Sequence, residues 1–225
     1  MVVDVIIPAL DEEASIAAVV SALDRRLVRD VVVVDNGSRD ATAARAARAG
    51  ARVVSEPRRG YGQACLTGLA SLAPGCEIVA FLDGDGSDSP GELGALVLPI
   101  VEGVADLVVG ARQVVESGAL TPQQRVGNFV AAAWLRRRYR LAATDLGPFR
   151  AIRHSALVAL GMTDRTYGWT VEMQIRAARA GLRYLERPVT YRRRLGRSKI
   201  SGTVRGTIGA SVKILTLLAR HDVLR

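Results

Sequence analysis

Five short runs of β-branched and aliphatic residues, set apart by stretches with helical spacing, restrict this chain to few folds. The runs are Val2-Val3-Asp4-Val5-Ile6-Ile7, Val31-Val32-Val33-Val34, Arg52-Val53-Val54, Ile78-Val79-Ala80-Phe81-Leu82 and Leu107-Val108-Val109. Between the first two, Ile16, Val19, Val20, Leu23 and Leu27 recur at helical spacing. Strands and helices alternating over such lengths call for right-handed crossovers and a mainly parallel sheet covered on both faces. Open sheets of that kind bind ligands at the carboxyl ends of their strands, and residues 8–13, 35–40 and 83–88 all fall on that edge. With 225 residues the chain can bury a substantial core, filled by Val, Leu, Ala and Ile because aromatics make up only 4%.

The most chemically loaded of these strand ends is Phe81-Leu82-Asp83-Gly84-Asp85-Gly86-Ser87-Asp88. It reads as a buried strand running into three carboxylates, the hard oxygen ligands that Mg2+ and Mn2+ prefer. A simple Asp-Gly turn with solvated acids is the bland alternative. A calcium loop counted from Asp83 needs Gly at its sixth position and Glu at its twelfth, where Asp88 and Gly94 stand. A dinucleotide fingerprint fails at Gly60-Tyr61-Gly62-Gln63-Ala64-Cys65, which has Cys in place of the third glycine.

The formal charge is +9, and only Lys199 and Lys213 of the 31 basic residues are lysine. Positive charge gathers over residues 183–205, where eight Arg and Lys side chains oppose only Glu186. Such a block attracts phosphate on a nucleotide, a lipid or a nucleic acid. A nucleic-acid-binding protein is therefore the rival suggested by charge alone, but the run lacks interleaved aromatics and leaves the acidic strand end unexplained. Cys65, Cys76, His154 and His221 offer no zinc-ligand spacing, and the two thiols read as buried in a reducing compartment. The opening Met1-Val2-Val3-Asp4 reads as a first strand and not a signal peptide. No apolar stretch reaches the roughly 18 residues of a membrane span. The expectation is a cytoplasmic chain, with any membrane contact peripheral at the inner face; an amphipathic helix over residues 204–218 either makes that contact or covers the sheet.

Farther along, Ser89, Pro90 and Glu92 spell a capping box, and Thr121-Pro122 opens a second helix running through Tyr139. Shorter elements follow from Thr144: residues 148–153, a helix near 168–180, and strands near 182–186 and 189–191. This pattern predicts one domain over 1–225, with a nucleotide-binding half (1–112) and a smaller α+β acceptor half (113–225) carrying the basic loop and a C-terminal helix.

Three blocks resemble the opening motifs of family-two glycosyltransferases with the GT-A fold. They are Val5-Ile6-Ile7-Pro8-Ala9-Leu10-Asp11-Glu12-Glu13, Val33-Val34-Asp35-Asn36-Gly37-Ser38-Arg39-Asp40-Ala41-Thr42 and Asp83-Gly84-Asp85. Within that family, Thr144-Asp145-Leu146-Gly147-Pro148-Phe149-Arg150 and Gly196-Arg197-Ser198-Lys199 are similar to later motifs of the dolichyl- or polyprenyl-phosphate sugar synthases. The resemblance implies a GT-A (Rossmann-like) α/β fold and transfer of a hexose, with inversion, from a UDP- or GDP-linked sugar. The implied acceptor bears phosphate, polyprenyl phosphate above all. A soluble acceptor such as a phosphoglycerate-like acid is the enzymatic alternative.

By the same resemblance Pro8, Ala9, Glu13 and Asp35 embrace the nucleoside, and Gly60 and Gly62 bring backbone close to it. Asp83 and Asp85, with Gly84 between them, hold Mg2+ or Mn2+ on the donor diphosphate. Asp145 and Glu172 are the candidate catalytic residues, as base or as orienter of the acceptor. Arg150, Arg194, Arg197, Ser198 and Lys199 meet the diphosphate and the acceptor phosphate. The chain departs from the pattern at Tyr61, where many relatives carry a basic residue, and at Ser87, where the lipid-phosphate branch often has Gln; Asp88 is a candidate replacement ligand. The run over 192–199, with hinges at Gly196 and Gly202, reads as a phosphate-seeking lid that its own like charges hold open without substrate.

Overall fold

The computed structural model describes residues 1–196, which form a single seven-stranded sheet flanked by helices. Strands β1 (Val3–Ala9), β2 (Val28–Asp35), β3 (Arg52–Ser55) and β4 (Ile78–Phe81) alternate with α1 (Ile16–Ser21), α2 (Thr42–Arg48) and α3 (Tyr61–Ala70). After α4 (Leu93–Val101) come β5 (Leu107–Val114), α5 (Pro122–Tyr139), β6 (Arg150–Arg153), α6 (His154–Leu160), α7 (Trp169–Arg179) and β7 (Tyr184–Tyr191). The strand order is β3-β2-β1-β4-β6-β5-β7, and β6 alone runs antiparallel to its neighbours. The mainly parallel α/β sheet expected from the alternation is therefore present.

The two-residue period of the strands sorts the core. Val3, Val5, Ile7 and Ala9 of β1 face one way and pack with α1 and α4, whereas Ile6, Val32, Val34 and Phe81 face the other way beneath α3, α6 and α7. A third cluster joins Ala131 and Leu135 of α5 to Val171 and Ile175 of α7. Cys65 and Cys76 are both buried and unbridged.

Three local expectations change. The two strands foreseen around residues 182–191 are one continuous strand, β7, in which Pro188 pairs with Ala111. Proline is tolerated there because β7 is an edge strand and the missing N–H faces no neighbour. The capping box foreseen at Ser89 does not form: Pro90–Glu92 is a 3-10 turn without a side-chain cap. Glu92 reaches instead to the N–H and hydroxyl of Thr190 (2.7 and 2.6 Å), and Ser89 accepts from Arg192 (2.7 Å). Helix α1 stops at Ser21, short of its periodic pattern, with Leu23 still buried in the turns that follow. The box at Thr121, by contrast, closes with Gln124.

Candidate active site

The carboxyl ends of β1, β2 and β4 open onto a cleft of about 340 Å3. Pro8 and Ala9 enter it from β1, Asn36 from just beyond β2, Gly60 and Tyr61 from the start of α3, and Asp83, Gly84 and Asp85 from the loop after β4. Two residues from the second half of the chain, Tyr167 and Arg194, close its far side. Glu12 also lines the cleft, whereas Glu13 turns away and accepts from the Ala41 N–H (3.2 Å).

Asp85 lies on a tight loop: its Oδ1 accepts from the N–H and hydroxyl of Ser87 (2.9 and 2.6 Å), which fixes the carboxylate. The second oxygen faces the Arg194 guanidinium at 2.9 Å. Burial and then the negative charge of Asp85 push Asp83 up to about 7. Burial followed by the charges of Asp83 and Asp85 raises Asp88 well above the usual carboxylate range. Asp83 Oδ1, Asp88 Oδ1 and the Tyr61 hydroxyl are buried without a hydrogen-bond partner. Native interiors rarely leave such atoms unmatched, so the orphaned Asp83 oxygen beside Asp85 fits a cation. Among the described residues no three His, Cys, Asp or Glu side chains converge on one point. An ion resting on Asp83 and Asp85 would complete its shell from water and substrate phosphate, as Mg2+ and Mn2+ commonly do.

Gly60 and Gly62 owe their identity to a close approach within the protein. A Cβ on either would stand 2.1 Å from a carbonyl oxygen, that of Arg165 for Gly60 and of Asp164 for Gly62. In their place the N–H groups of Gly62 and Gln63 donate to the Thr166 and Arg165 carbonyls (3.0 and 2.9 Å). The loop over residues 163–167, which carries Tyr167, is thereby seated on the N-terminus of α3. Glu172, buried at the start of α7, holds that loop from behind by accepting from the Thr163 hydroxyl (2.7 Å), the Asp164 N–H (2.7 Å) and Arg176 (2.8 Å).

Three other anticipated residues lie outside the cleft lining. Asp35 closes the turn after β2 by accepting from the Ser38 N–H (3.0 Å), while Asn36 next to it donates to the Glu56 and Arg58 carbonyls and accepts from Gly60. Asp145 is clamped by Arg112 through Nη2 (2.6 Å), Nε (2.8 Å) and the backbone N–H (2.7 Å). Burial tends to raise its pKa, but the Arg112 hydrogen bonds and charge prevail and hold it below the usual carboxylate range. Arg150 is wholly buried, donating to the Thr170 carbonyl (3.0 Å) and to those of Leu146 and Gly147.

The sequence reading did not single out Glu12, Asn36 or Tyr167 as site residues. Glu12 and Asn36 lie inside the quoted motif blocks, one position from the residues chosen; Tyr167 carried no signal. Arg194 is where a site cation was expected. The described start of the basic segment is not open, however, because Asp85 and Glu12 supply the opposite charge that its own sequence lacks. Arg197, Ser198, Lys199, the Gly202 hinge and the helix foreseen over 204–218 lie outside the described residues.

A sheet of this topology with an acid pair at the end of its fourth strand, facing a nucleotide-sized cleft, defines a GT-A glycosyltransferase. The chain belongs to Glycosyl transferase family 2, which matches residues 4–161. It is 45% identical over 207 residues to an uncharacterised glycosyltransferase of Mycobacterium tuberculosis, covering 92% of this chain and 93% of that one. It is 31% identical over 238 residues to an undecaprenyl-phosphate mannosyltransferase of Micrococcus luteus, covering 98% and 96%. Its fold matches glucosyl-3-phosphoglycerate synthase from M. tuberculosis, crystallised with Mn2+, UDP and phosphoglyceric acid, with a TM-score of 0.80 and 28% identity over 100% of this chain and 80% of the other.

Proposed function

We propose that the chain transfers a hexose, with inversion, from a UDP- or GDP-linked sugar to a phosphate-bearing acceptor, and that the acceptor is a polyprenyl phosphate. The carrying observation is that both candidate bases are already saturated. Asp145 is clamped by Arg112 and held at a lowered pKa, and Glu172 is engaged by Thr163, Asp164 and Arg176. Neither is poised to take a proton from a hydroxyl acceptor, whereas a phosphate oxygen arrives ionised and needs no base.

In this reading Pro8, Ala9, Asn36 and Gly60 receive the nucleoside, with Asp35 and its turn behind them. Asp83 and Asp85 hold Mg2+ or Mn2+, an ion that when bound offsets the charge developing on the leaving nucleoside diphosphate. Arg194 supplies a guanidinium fork for phosphate oxygens. In this reading the first half of the chain serves the donor, with Tyr167 and Arg194 contributed to the same cleft by the second half.

The lipid acceptor is favoured by the mannosyltransferase relative and by the outer face of α5. Val126 (64% exposed), Phe129 (66%) and Val130 (46%) form an apolar stripe there, flanked by Arg125, Arg136 and Arg137. Apolar residues bordered by arginines suit an anionic lipid surface. None of the described helices is long and apolar enough to cross a membrane. A soluble phosphate acid is the second reading, favoured by the fold match to the phosphoglycerate enzyme.

The test offers UDP- and GDP-sugars with Mn2+, and either undecaprenyl phosphate or 3-phosphoglycerate, and reads product and anomeric configuration. A glycosyl phospholipid that disappears on chelation supports the proposal, and flotation with phosphatidylglycerol vesicles that is lost in Phe129→Glu supports the α5 surface. Product from phosphoglycerate alone selects the second reading. Transfer only to neutral alcohols, or undiminished transfer in chelator, refutes both.

A further inference from the structure

The segment following β7 is zipped onto the acidic loop. Tyr191 bridges to Asp88 in antiparallel fashion, the Arg192 N–H donates to the Ser87 carbonyl (2.9 Å), and the Leu195 N–H donates to the Asp85 carbonyl (2.9 Å). This pairing delivers the Arg194 guanidinium between two carboxylates from separate loops of the first half of the chain, at 2.9 Å from Asp85 Oδ2 and 3.2 Å from Glu12 Oε1. Both carboxylates are nearly inaccessible, with side chains 6% and 8% exposed. Buried carboxylates left without a positive partner are costly. Arg194 therefore does for Asp85 what a bound ion would do.

We propose that Arg194 is a resident counter-cation of the acid cluster, which a divalent ion must displace from Asp85. Once displaced, the guanidinium is carried on a segment already beside the cleft and is free to meet the phosphates. The proposal rests on the reading of Asp83 and Asp85 as the ion's ligands. It adds that the ion and Arg194 compete for one carboxylate, so each weakens the other's hold by the same factor. It also gives the Arg192–Gly196 segment a task before any substrate arrives: holding the mutually repelling carboxylates in place. The orphaned Arg194 Nε is consistent with a side chain set by the carboxylates it serves and not by a full complement of its own hydrogen bonds.

The experiment measures Mn2+ binding to the full chain, without nucleotide, from the loss of the free-ion electron paramagnetic resonance signal. Arg194→Gln keeps most of the length of the side chain and removes its charge. Its apparent Kd for Mn2+ should fall about tenfold, equivalent to about 1.4 kcal/mol. Arg194→Lys should stay near the wild type. Arg192→Gln, on the same segment but directed at Ser89, should leave Mn2+ affinity unchanged. With Mn2+ saturating, Arg194→Gln should bind UDP about tenfold more weakly because the freed cation is gone. Equal or weaker Mn2+ binding by Arg194→Gln overturns the proposal while leaving the ion's ligands standing. If neither wild type nor variant binds Mn2+, with or without UDP, the metal reading falls and this inference falls with it.

Discussion

Replacing Gly62 by alanine separates two reasons for a glycine at the mouth of the cleft. One is approach of a nucleotide to bare backbone; the other is the seat that α3 provides for residues 164–166. An alanine Cβ would stand 2.1 Å from the Asp164 carbonyl oxygen and 2.8 Å from its carbon. Carbon contacts are comfortable near 3.5 Å or more, so helix and loop must part by more than about 1 Å. Both partners are backbone and cannot swing aside as a flexible side chain would. The separation breaks two hydrogen bonds, Gly62 to Thr166 and Gln63 to Arg165, at about 1 kcal/mol each. The residual overpacking adds about 1–3 kcal/mol, giving a loss of about 3–5 kcal/mol. Gly62 is a cleaner probe than Gly60, whose φ of +145° would add backbone strain to the same clash. Urea unfolding monitored by circular dichroism supplies the measurement. Stability within about 1 kcal/mol of wild type, with weakened UDP binding as the only change, would refute the seat and assign the glycine to the nucleotide.

Gly127, in the middle of α5, has no neighbouring atom within 4 Å of where an alanine methyl would sit, so Gly127→Ala should stabilise by about 0.5–1 kcal/mol through helix propensity, read as a raised Tm. Arg112→Ala strands the buried Asp145 carboxylate and should cost about 3–5 kcal/mol, seen as a lower urea midpoint at unchanged slope. Asp106 is held down at about 2, chiefly by its hydrogen bonds to Arg183. Because that folded value lies below the unfolded one, the stability it contributes is present above about pH 4 and fades as pH falls through 2. Arg183 is half exposed, so screening reduces the contribution to about 1 kcal/mol; the stability gap between wild type and Asp106→Asn should show at pH 7 and close near pH 2.

What was legible in the sequence is what local periodicity encodes. Alternating runs placed β1 to β5, and the acid triplet fell at a strand end because three clustered carboxylates without cationic partners nearby in sequence do not continue a buried strand. The insertion of β6 between β4 and β5 was not legible. Its direction depends on pairing Phe81 with Arg150 and Val109 with the same residue from the other side, and no window of sequence contains both. Arg150 read as a phosphate ligand because it closes a block that resembles a family motif, yet its position in a central strand buries it among carbonyls. Glu13 read as the nucleoside contact and Glu12 lines the cleft instead. Between them and β1 stands Asp11 with φ of +51°, a left-handed residue that breaks strand alternation, so which of two adjacent glutamates turns inward could not be counted from β1.

The charge at the site shows why the basic segment misled by its own composition. Read alone, Arg192, Arg193 and Arg194 repel one another and predict an open loop. Folded, they part: Arg192 turns to Ser89, the Arg193 N–H to Glu116, and Arg194 alone reaches the cleft edge where Glu12, Asp83 and Asp85 gather from strand ends separated by some seventy residues of sequence. A diphosphate approaching those carboxylates unaided would meet like charge, so productive binding requires a cation between acid and phosphate at every stage. In the free protein that cation is the Arg194 guanidinium, tethered beside Asp85 and Glu12; on the proposal above, a divalent ion held by Asp83 and Asp85 would take over that role when the donor binds, supplying more charge in less volume. Exchange of one for the other would tie donor entry to release of Arg194 from Asp85. On that proposal the charge of the donor and the position of Arg194 are coupled through a single carboxylate, Asp85.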